Sequence, residues 1–346
     1  MFNRISASSA RRMAAVLLVL LVMPSVWMRT AVTRGDADDL QLLELAYDEA
    51  GHGEFRVTGV WEVTSPDLVF GGYSALLAGQ DGTLVTFSDR GRFLSFSGPG
   101  GPDLPASIGA QLPDPGLEQR LWDIESATQD PASGTFWLGY EGEHAIQRYT
   151  ARGEPDGHVL FPAMPWQDNG GMESLVRLAD GRFVALPETE ARLYLFADDP
   201  VRDGGTTSVP IEWPEAGYSP TDAAQLPDGR LLVLMRRVAW GLPPTFDVIL
   251  VVGALPAGEE PWQPELALTL HDLVPSDNFE GMDLVEGADG GADIWLISDD
   301  NFSAFQRTLL VRLELAVLES EAEPDGAHEK AREDRSPRAF SRVLAI

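Results

Sequence analysis

Short apolar runs of strand length fill the middle of the chain, and Asp-Gly-type turns separate them in pairs. The first pair is SALLAGQ and TLVTFSD, on either side of Asp81-Gly82. Two β-prone runs around such a turn predict a β-hairpin. The turns recur at intervals of about 50 residues, a period typical of propeller blades. They lie at Asp81-Gly82, Asp130–Gly134, Asp180-Gly181, Asp228-Gly229 and Asp289–Gly291.

The length of the repeating region predicts the number of blades. Residues 35–318, divided by a period of about 48 residues, predict six blades, of which five show a hairpin. The sixth is expected to combine N-terminal strands near Phe55–Val63 with a C-terminal strand near Leu309–Leu315, which would close the ring. We therefore predict an all-β, six-bladed β-propeller. A β-sandwich is the alternative, although a sandwich does not require a constant period.

Two terminal segments differ from this domain. Residues 1–34 contain arginines but no acid, and residues 13–28 after Arg11-Arg12 are largely apolar. This pattern is typical of a secretory signal peptide or a short membrane anchor, and Pro24 argues against a buried core helix. We expect a periplasmic or secreted protein, with residues 13–28 either removed or kept as a membrane tether. Residues 319–346 are charged and are predicted to be a flexible, solvated tail.

Composition excludes several classes of function. The net charge is −29, from 25 basic and 54 acidic residues, so the surface should repel nucleic acids. Lys330 is the only lysine and the chain has no cysteine, which removes Schiff-base lysines, disulfides and thiolate metal sites. The five histidines show no metal-binding spacing, and no serine-hydrolase elbow occurs.

The hairpins also carry an ionisable pattern at their ends. The start of a hairpin's first strand and the end of its second meet at one edge, and the first strand lines the channel of a propeller. We therefore expect ten positions to gather at one mouth of the channel. The first-strand positions are Ser74, Glu125, Glu173, Asp222 and Glu280, and the second-strand positions are Asp89, Glu141, Glu188, Arg236 and Asp299. A second register, which aligns Glu173 with Asp283, would place Asp283 rather than Glu280 in the channel.

Carboxylates in such numbers cannot all stay ionised without counter-charge. Arg90, Arg236 and Arg307 are candidates to supply it, and a metal ion is the other source. An all-oxygen site without histidine or cysteine selects a hard cation, above all Ca²⁺. The alternative for any single acid is that it bonds backbone amides and locks the blades. The predicted calcium ligands are Glu125, Glu173, Asp222, Glu280 and Asp299.

Several segments share the pattern of a known family. They are Gly71–Leu76, Ser88–Gly91, Trp122–Glu125, Tyr140-Glu141, Ile146–Tyr149, Asn169–Glu173, Asp222–Arg230, Asn278–Gly281, Leu296–Phe302 and Gln306–Leu310. Together they resemble the bacterial phytase-like family, "esterase-like activity of phytase", over roughly residues 55–316. The resemblance implies an exported propeller and hydrolysis of an ester or phosphoester. The chain departs from the family at Ser126-Ala127, where Gly-Leu is more usual.

Two functions follow from these observations. In the first, the protein is an exported, metal-dependent hydrolase of a small phosphoester or carboxyl ester, with Glu188 or Asp89 as general base. The residues expected to bind its substrate are Ser74, Arg90, Arg236, Asn301 and Arg307. In the second, it is a non-catalytic exported propeller that binds a ligand or partner and holds a structural Ca²⁺.

Overall fold

The computed structural model describes residues 39–49, 51–111, 123–142, 144–161, 166, 170–202, 205–241 and 244–316. The predicted signal segment 1–34 and the predicted tail 319–346 lie outside these residues. The described chain consists of β-strands and two short 3-10 helices, Pro200–Arg202 and Leu270–Asp272. Neither helix is long and apolar enough to cross a membrane.

The strands form antiparallel sheets that follow the chain order. The N-terminal strands are β1 (Gln41–Glu44), β2 (Gly51–His52) and β3 (Phe55–Thr64). Blade one contains β4 (Tyr73–Ala78), β5 (Thr83–Ser88), β6 (Arg92–Ser97) and β7 (Ser107–Ala110). Blade two contains β8 (Ile124–Gln129), β9 (Phe136–Tyr140), β10 (Ala145–Tyr149) and β11 (Pro155–Leu160). Blade three contains β12 (Met172–Arg177), β13 (Phe183–Pro187), β14 (Arg192–Phe196) and β15 (Thr206–Pro210).

The last two blades complete the ring. Blade four contains β16 (Ser219–Gln225), β17 (Leu231–Ala239), β18 (Thr245–Gly253) and β19 (Glu265–Thr269). Blade five contains β20 (Phe279–Glu286), β21 (Ala292–Ser298) and β22 (Leu309–Leu315), joined by β3 with β1 and β2. The first strands of the blades contact one another in chain order, and β20 returns to β4, so they surround the central channel.

The propeller has five blades over the described residues, so the predicted all-β propeller is confirmed and the predicted number of six is wrong. Strand β22 pairs with β21 on one side and with β3 on the other. The expected closure by the two ends of the chain is therefore present. These strands, however, extend the fifth hairpin instead of forming a separate blade, because the hairpin supplies only the inner half of that sheet.

The apolar core lies between the blades. Five clusters of buried side chains occupy the five interfaces between neighbouring sheets. The predicted Asp-Gly turns lie at the opposite end of the ring from the acidic positions, and their glycines have φ between +71° and +92°. L-residues rarely adopt this conformation, which explains why glycine recurs at this point of each hairpin.

Candidate functional site

Every blade's first strand contains a β-bulge near its start. The bulge shifts the register at Ser74, Glu125, Glu173, Thr221 and Glu280. A bulge residue is left out of the ladder and its side chain is re-aimed. The five bulges occupy equivalent places, so the blades present these side chains at one level of the channel mouth.

In four blades the second strand of the hairpin ends at the same level, and in blade four β17 passes this level at Arg236. In four blades, the residue after this strand donates its N–H to the carbonyl of the residue two positions before the bulge. These hydrogen bonds are Asp89 to Gly72 (3.0 Å), Glu141 to Asp123 (3.0 Å), Glu188 to Gly171 (3.2 Å) and Asp299 to Asn278 (2.8 Å). In blade four, Arg236 pairs with Ser219 at the equivalent position. The second-strand residues predicted from the sequence thus occupy equivalent positions at the mouth.

Arg236 supplies positive charge among these carboxylates. Its Nη2 lies 3.1 Å from Oε1 of Glu280 and 4.0 Å from Oε1 of Glu188. Its Nη1 donates a hydrogen bond to the side-chain oxygen of Asn278. Burial lowers the pKa of Arg236, but Glu280, Glu173 and Glu188 outweigh it, so its pKa lies above the ordinary value. Arg236 therefore stays charged and compensates the carboxylates of blades three and five.

Glu280 and Glu173 depend on this guanidinium. Both are buried, with 8% and 7% of their surface exposed. Burial raises the pKa of Glu280, while Arg236 and hydrogen bonds from the side chains of Asn278 and Ser74 lower it. Burial also raises the pKa of Glu173 well above its ordinary value, and Arg236 opposes that rise. Removal of the arginine would leave both carboxylates without their main counter-charge.

A different arrangement occurs in blade two. Asp123, Glu125 and Glu141 each place one carboxylate oxygen within 4.8 Å of the others. Among the described residues, this is the one group of histidines, cysteines or acids close enough to hold a metal ion. None of the three forms a salt bridge with an arginine in the described part of the chain. The group therefore combines crowded negative charge with oxygen ligands, as a hard cation requires.

Burial and neighbouring carboxylates raise the pKa values of two acids in blade two. Burial raises the pKa of Glu125 well above its ordinary value, and Glu173 and Glu280 add to the rise. Burial raises the pKa of Glu141 to about 7, with a further contribution from Asp123. The Gly171 N–H, 3.4 Å from Oε1 of Glu141, opposes this shift only in part. Without a cation, Glu125 and Glu141 therefore hold a proton to higher pH than an ordinary glutamate does.

Blades one and five contribute a second group of acids. Burial raises the pKa of Asp89 to about 6, although Arg90 lowers it. Burial and the nearby Glu280 raise the pKa of Asp299 to about 8. Oδ1 of Asp89 is buried and has no hydrogen-bond partner among the described residues. Asp89 therefore combines a raised pKa with one enclosed carboxylate oxygen that no hydrogen bond satisfies.

Gly71 and Gly72 allow the chain to pass close to these acids. Their φ angles are +110° and +71°. The Gly72 N–H donates to Oδ1 of Asp300 over 3.0 Å. A Cβ atom at Gly72 would lie 2.6 Å from Oδ1 of Asp89, and one at Gly71 would lie 2.6 Å from Oδ1 of Asp300. Glycine is therefore required at both positions by conformation and by space.

Arg90 is held in place by an aromatic ring. The centre of its guanidinium lies 3.3 Å from the centroid of the Phe302 ring. Stacking of this kind fixes the plane of the guanidinium and leaves its N–H edge available to an anionic oxygen. Arg90 adjoins Asp89, so a fixed cation and an available carboxylate lie next to each other at the mouth.

The structure places Asp222 away from the mouth, which corrects the predicted ligand set. Asp222 is fully buried, and its oxygens accept the N–H groups of Ala223 (2.8 Å) and Met282 (2.7 Å). The bulge of blade four falls on Thr221, one residue earlier, so the Asp222 side chain connects blade four to blade five. Asp283 has a similar role, because its Oδ2 accepts the N–H of Ala78 in blade one (2.8 Å). The register that placed Asp283 in the channel is therefore excluded, and Glu280 occupies the mouth.

Two further residues that the sequence predicted to bind substrate, Arg307 and Asn301, contact aspartates of the protein. The Nε of Arg307 lies 3.3 Å from Oδ2 of the buried Asp277. Asn301 has an exposed side chain, and its backbone N–H donates to Oδ1 of Asp299 over 2.7 Å. Asn301 thus orients a mouth carboxylate through its backbone.

Sequence reasoning did not single out Asp123 or Asn278 as site residues. Each lies two positions before a bulge, immediately ahead of its strand. Both belong to the segments that carry the family resemblance, Trp122–Glu125 and Asn278–Gly281. The sequence signal that could have found them is an acid or amide two residues before the bulge residue of the same blade.

The fold and the mouth define this protein as a five-bladed propeller with a carboxylate-lined channel mouth and three acids close enough together to hold a metal ion. The chain belongs to the phytase-like family described as "esterase-like activity of phytase", whose family profile matches residues 69–302. No curated protein matches the chain.

Several solved structures are similar in outline. A luciferin-regenerating enzyme is 13% identical, with a TM-score of 0.41 over 81% of this chain and 92% of its own. A streptogramin B lyase is 12% identical, with a TM-score of 0.38 over 82% of this chain and 89% of its own. A presumed gluconolactonase is 10% identical, with a TM-score of 0.46 over 83% of this chain and all of its own. These values are too low to transfer an activity.

Proposed function

We propose that this protein is a calcium-dependent hydrolase of small esters or phosphoesters and that its reaction takes place at the acidic mouth. The observation that carries the proposal is the blade-two group of Asp123, Glu125 and Glu141, which lacks an arginine partner in the described chain. Three carboxylates without counter-charge fit a hard divalent cation. Glu125 is the one member that also belongs to the ligand set predicted from the sequence.

A Ca²⁺ ion in this group would supply polarisation of the ester oxygen and a lower pKa for a bound water. Asp89 is the better candidate for general base. Its pKa of about 6 leaves the carboxylate ionised at neutral pH while keeping it more basic than an ordinary aspartate. Glu188, the other predicted base, lies 4.0 Å from Arg236 and serves better as a partner of that charge.

Arg90 is the candidate to bind the anionic oxygen of the substrate. Its stacking on Phe302 fixes the guanidinium next to Asp89. Arg236 is less suited, because both of its terminal nitrogens already bind Glu280 or Asn278. The surrounding carboxylates repel additional negative charge, which favours a neutral or singly charged ester over a highly phosphorylated one.

Turnover of p-nitrophenyl acetate and p-nitrophenyl phosphate, measured with calcium and with chelator, tests the proposal. We expect turnover that requires calcium, and a fall in kcat of about 100-fold in Asp89→Asn, the usual size of a general-base effect. Asp81→Asn, at the far turn of the same blade, is the matched control and should retain full activity. Turnover that survives both chelation and Asp89→Asn would contradict the assignment. Calcium binding without turnover of either ester would favour the non-catalytic propeller with a structural ion.

The cellular location is a proposal of the same kind. The apolar residues 13–28 behind Arg11-Arg12 support export to the periplasm or the outside of the cell. Fractionation of cells that express the full chain tests this, with recovery in the cytoplasmic fraction as the contrary result.

A further inference from the structure

We propose that the mouth face of the propeller docks on a zwitterionic lipid surface. The mouth face is the end of the ring at which the bulged first strands begin. This inference does not depend on whether the mouth catalyses hydrolysis. It rests on exposed apolar side chains, on the point at which the chain enters the fold and on the charge of the mouth.

Exposed aromatic residues occur at this end of the ring. Trp240 is 92% exposed and Phe305 is 62% exposed, and within the described residues no other tryptophan or phenylalanine is comparably exposed. Trp240 lies between β17 and β18, and Phe305 lies between β21 and β22. Both connections follow a second strand that has returned to the mouth. The two rings therefore project from neighbouring blades on the same face.

Blade four has an unusually long hairpin that carries Trp240. Beyond the mouth residue Arg236, β17 and β18 continue to pair from Arg237 to Ala239. In blade one, by contrast, β6 begins three residues after Asp89. Three further residues of strand raise the tip by about 10 Å above the level of Arg236. Val238, 40% exposed, lies on the same projection.

Contacts at its base hold this hairpin in place. Arg237 forms a salt bridge with Asp247 at 2.6 Å and lies over the Tyr218 ring at 4.5 Å. The backbone of Phe246 exchanges two hydrogen bonds with the Ser276 hydroxyl, of 2.9 and 2.8 Å. The apolar tip is thus presented by an ordered element, as a fixed contact surface requires.

Leu68 is a further exposed apolar residue on the mouth face, on the side of blade one. It is 59% exposed and lies between β3 and β4, where the chain crosses the mouth face. Single exposed apolar residues are common on protein surfaces. Four of them at the mouth end of adjacent blades, two being aromatic, are typical of a binding surface.

The chain enters the propeller at the same face. Gln41, the first residue of β1, pairs with Thr64, which lies at the mouth end of β3. The apolar segment 13–28 is separated from the described chain by residues 29–38, which can span at most about 35 Å. A bilayer that holds residues 13–28 would therefore be tethered at the mouth side of the propeller, the side that carries Trp240, Phe305 and Leu68.

Charge selects the kind of lipid. The mouth carries many carboxylates and the whole chain has a net charge of −29, so an anionic surface would repel this face. Tryptophan and phenylalanine bind the interfacial region of neutral lipids without needing a positive patch. Carboxylates at the channel mouth, together with the exposed Trp240 and Phe305, therefore fit a zwitterionic bilayer.

The absence of cysteine allows a direct test on the full-length chain. Single variants Trp240→Cys and Phe305→Cys are labelled with a polarity-sensitive fluorophore and mixed with phosphatidylcholine vesicles. Leu104→Cys and Leu266→Cys, at exposed positions of the opposite end, are the matched controls. We expect a blue shift and about a twofold or larger rise in emission at positions 240 and 305 only. Brominated phosphatidylcholine should quench the same two labels.

Three results would overturn the proposal. An equal response from all four labels would mean that the protein has no fixed orientation on the vesicle. No response at 240 and 305 in vesicle-bound protein would mean that the mouth face points away from the lipid. A response of these labels to soluble p-nitrophenyl esters but not to vesicles would mean that positions 240 and 305 contact a small ligand instead of a lipid surface. The readout does not involve turnover, so it is independent of the proposed hydrolase activity.

Discussion

Blades two and four place different side chains on the same backbone geometry at the mouth. At the bulge and at the mouth position of the second strand, blade two has Glu125 and Glu141, whereas blade four has Thr221 and Arg236. Blade four therefore supplies counter-charge to its neighbours, whereas the acids of blade two form no salt bridge in the described chain. One guanidinium cannot neutralise every carboxylate in the ring. The comparison shows how two positions in a repeat decide whether a blade presents a guanidinium or a group of carboxylates at the mouth.

Removal of the blade-four cation should have the largest effect. Arg236→Met would leave Glu280 and Glu173 buried without their counter-charge, at a cost of about 3 kcal/mol in the free energy of unfolding. Urea unfolding at pH 7 in the presence of chelator measures this loss. Arg237→Met, which removes the adjacent exposed arginine and its surface ion pair with Asp247, is the matched control and should cost much less, because an exposed ion pair contributes little to stability. Equal losses in the two variants would show that Arg236 does not compensate the mouth.

The stability of the metal-free protein should depend on pH, with a smaller effect. Folding raises the pKa of Asp89 to about 6, of Glu141 to about 7 and of Asp299 to about 8. The folded state then binds protons that the unfolded chain has lost above about pH 4.5. This contribution to stability is complete below the ordinary carboxyl pKa and disappears as the pH rises toward 8.

Thermal unfolding at pH 5 and pH 8 checks this expectation. In chelator, the Tm should be higher at pH 5 by several degrees. Saturating calcium should reduce the difference, because a cation binds the ionised carboxylates and replaces the protons. A pH dependence that calcium leaves unchanged would mean that the titrating acids do not face a cation site.

The smallest effect is expected for an acid outside the mouth. Asp222→Asn weakens a buried acceptor that connects blades four and five, at a cost of about 1 kcal/mol in the free energy of unfolding. Calcium affinity should stay the same, because Asp222 bonds backbone amides and not the mouth residues. Calorimetry measures the calcium affinity of this variant. A loss of calcium affinity together with stability would contradict the register that places Thr221, and not Asp222, at the mouth.

The Asp-Gly turns made the hairpins and the propeller predictable, because such turns act locally. The number of blades was not predictable in the same way. Strand β3 pairs with β22 across almost the whole chain, and nothing local shows that Phe55–Thr64 completes the fifth hairpin. Dividing a length by a period counts these closing strands as an additional blade.

The mouth residues were predictable as a set, but their register was not in every blade. A bulge adds one residue to a strand and removes the alternation that identifies its faces. Thr221 and Asp222 were therefore equivalent from the sequence alone, and the acid was the natural but incorrect choice. Arg236 could be placed at the mouth from its distance to the turn, whereas its contacts with Glu280 and Asn278 depend on a neighbouring blade.

Calcium titration by calorimetry on the chelator-stripped full chain tests the central claim most directly, with Glu141→Gln and Glu188→Gln compared side by side. Both residues follow the second strand of their blades, but only Glu141 belongs to the group without counter-charge. We predict that the unmodified protein binds calcium, that Glu141→Gln weakens binding by about tenfold or more, and that Glu188→Gln changes it by less than about twofold. Absence of calcium binding, or an equal loss in both variants, would contradict the account.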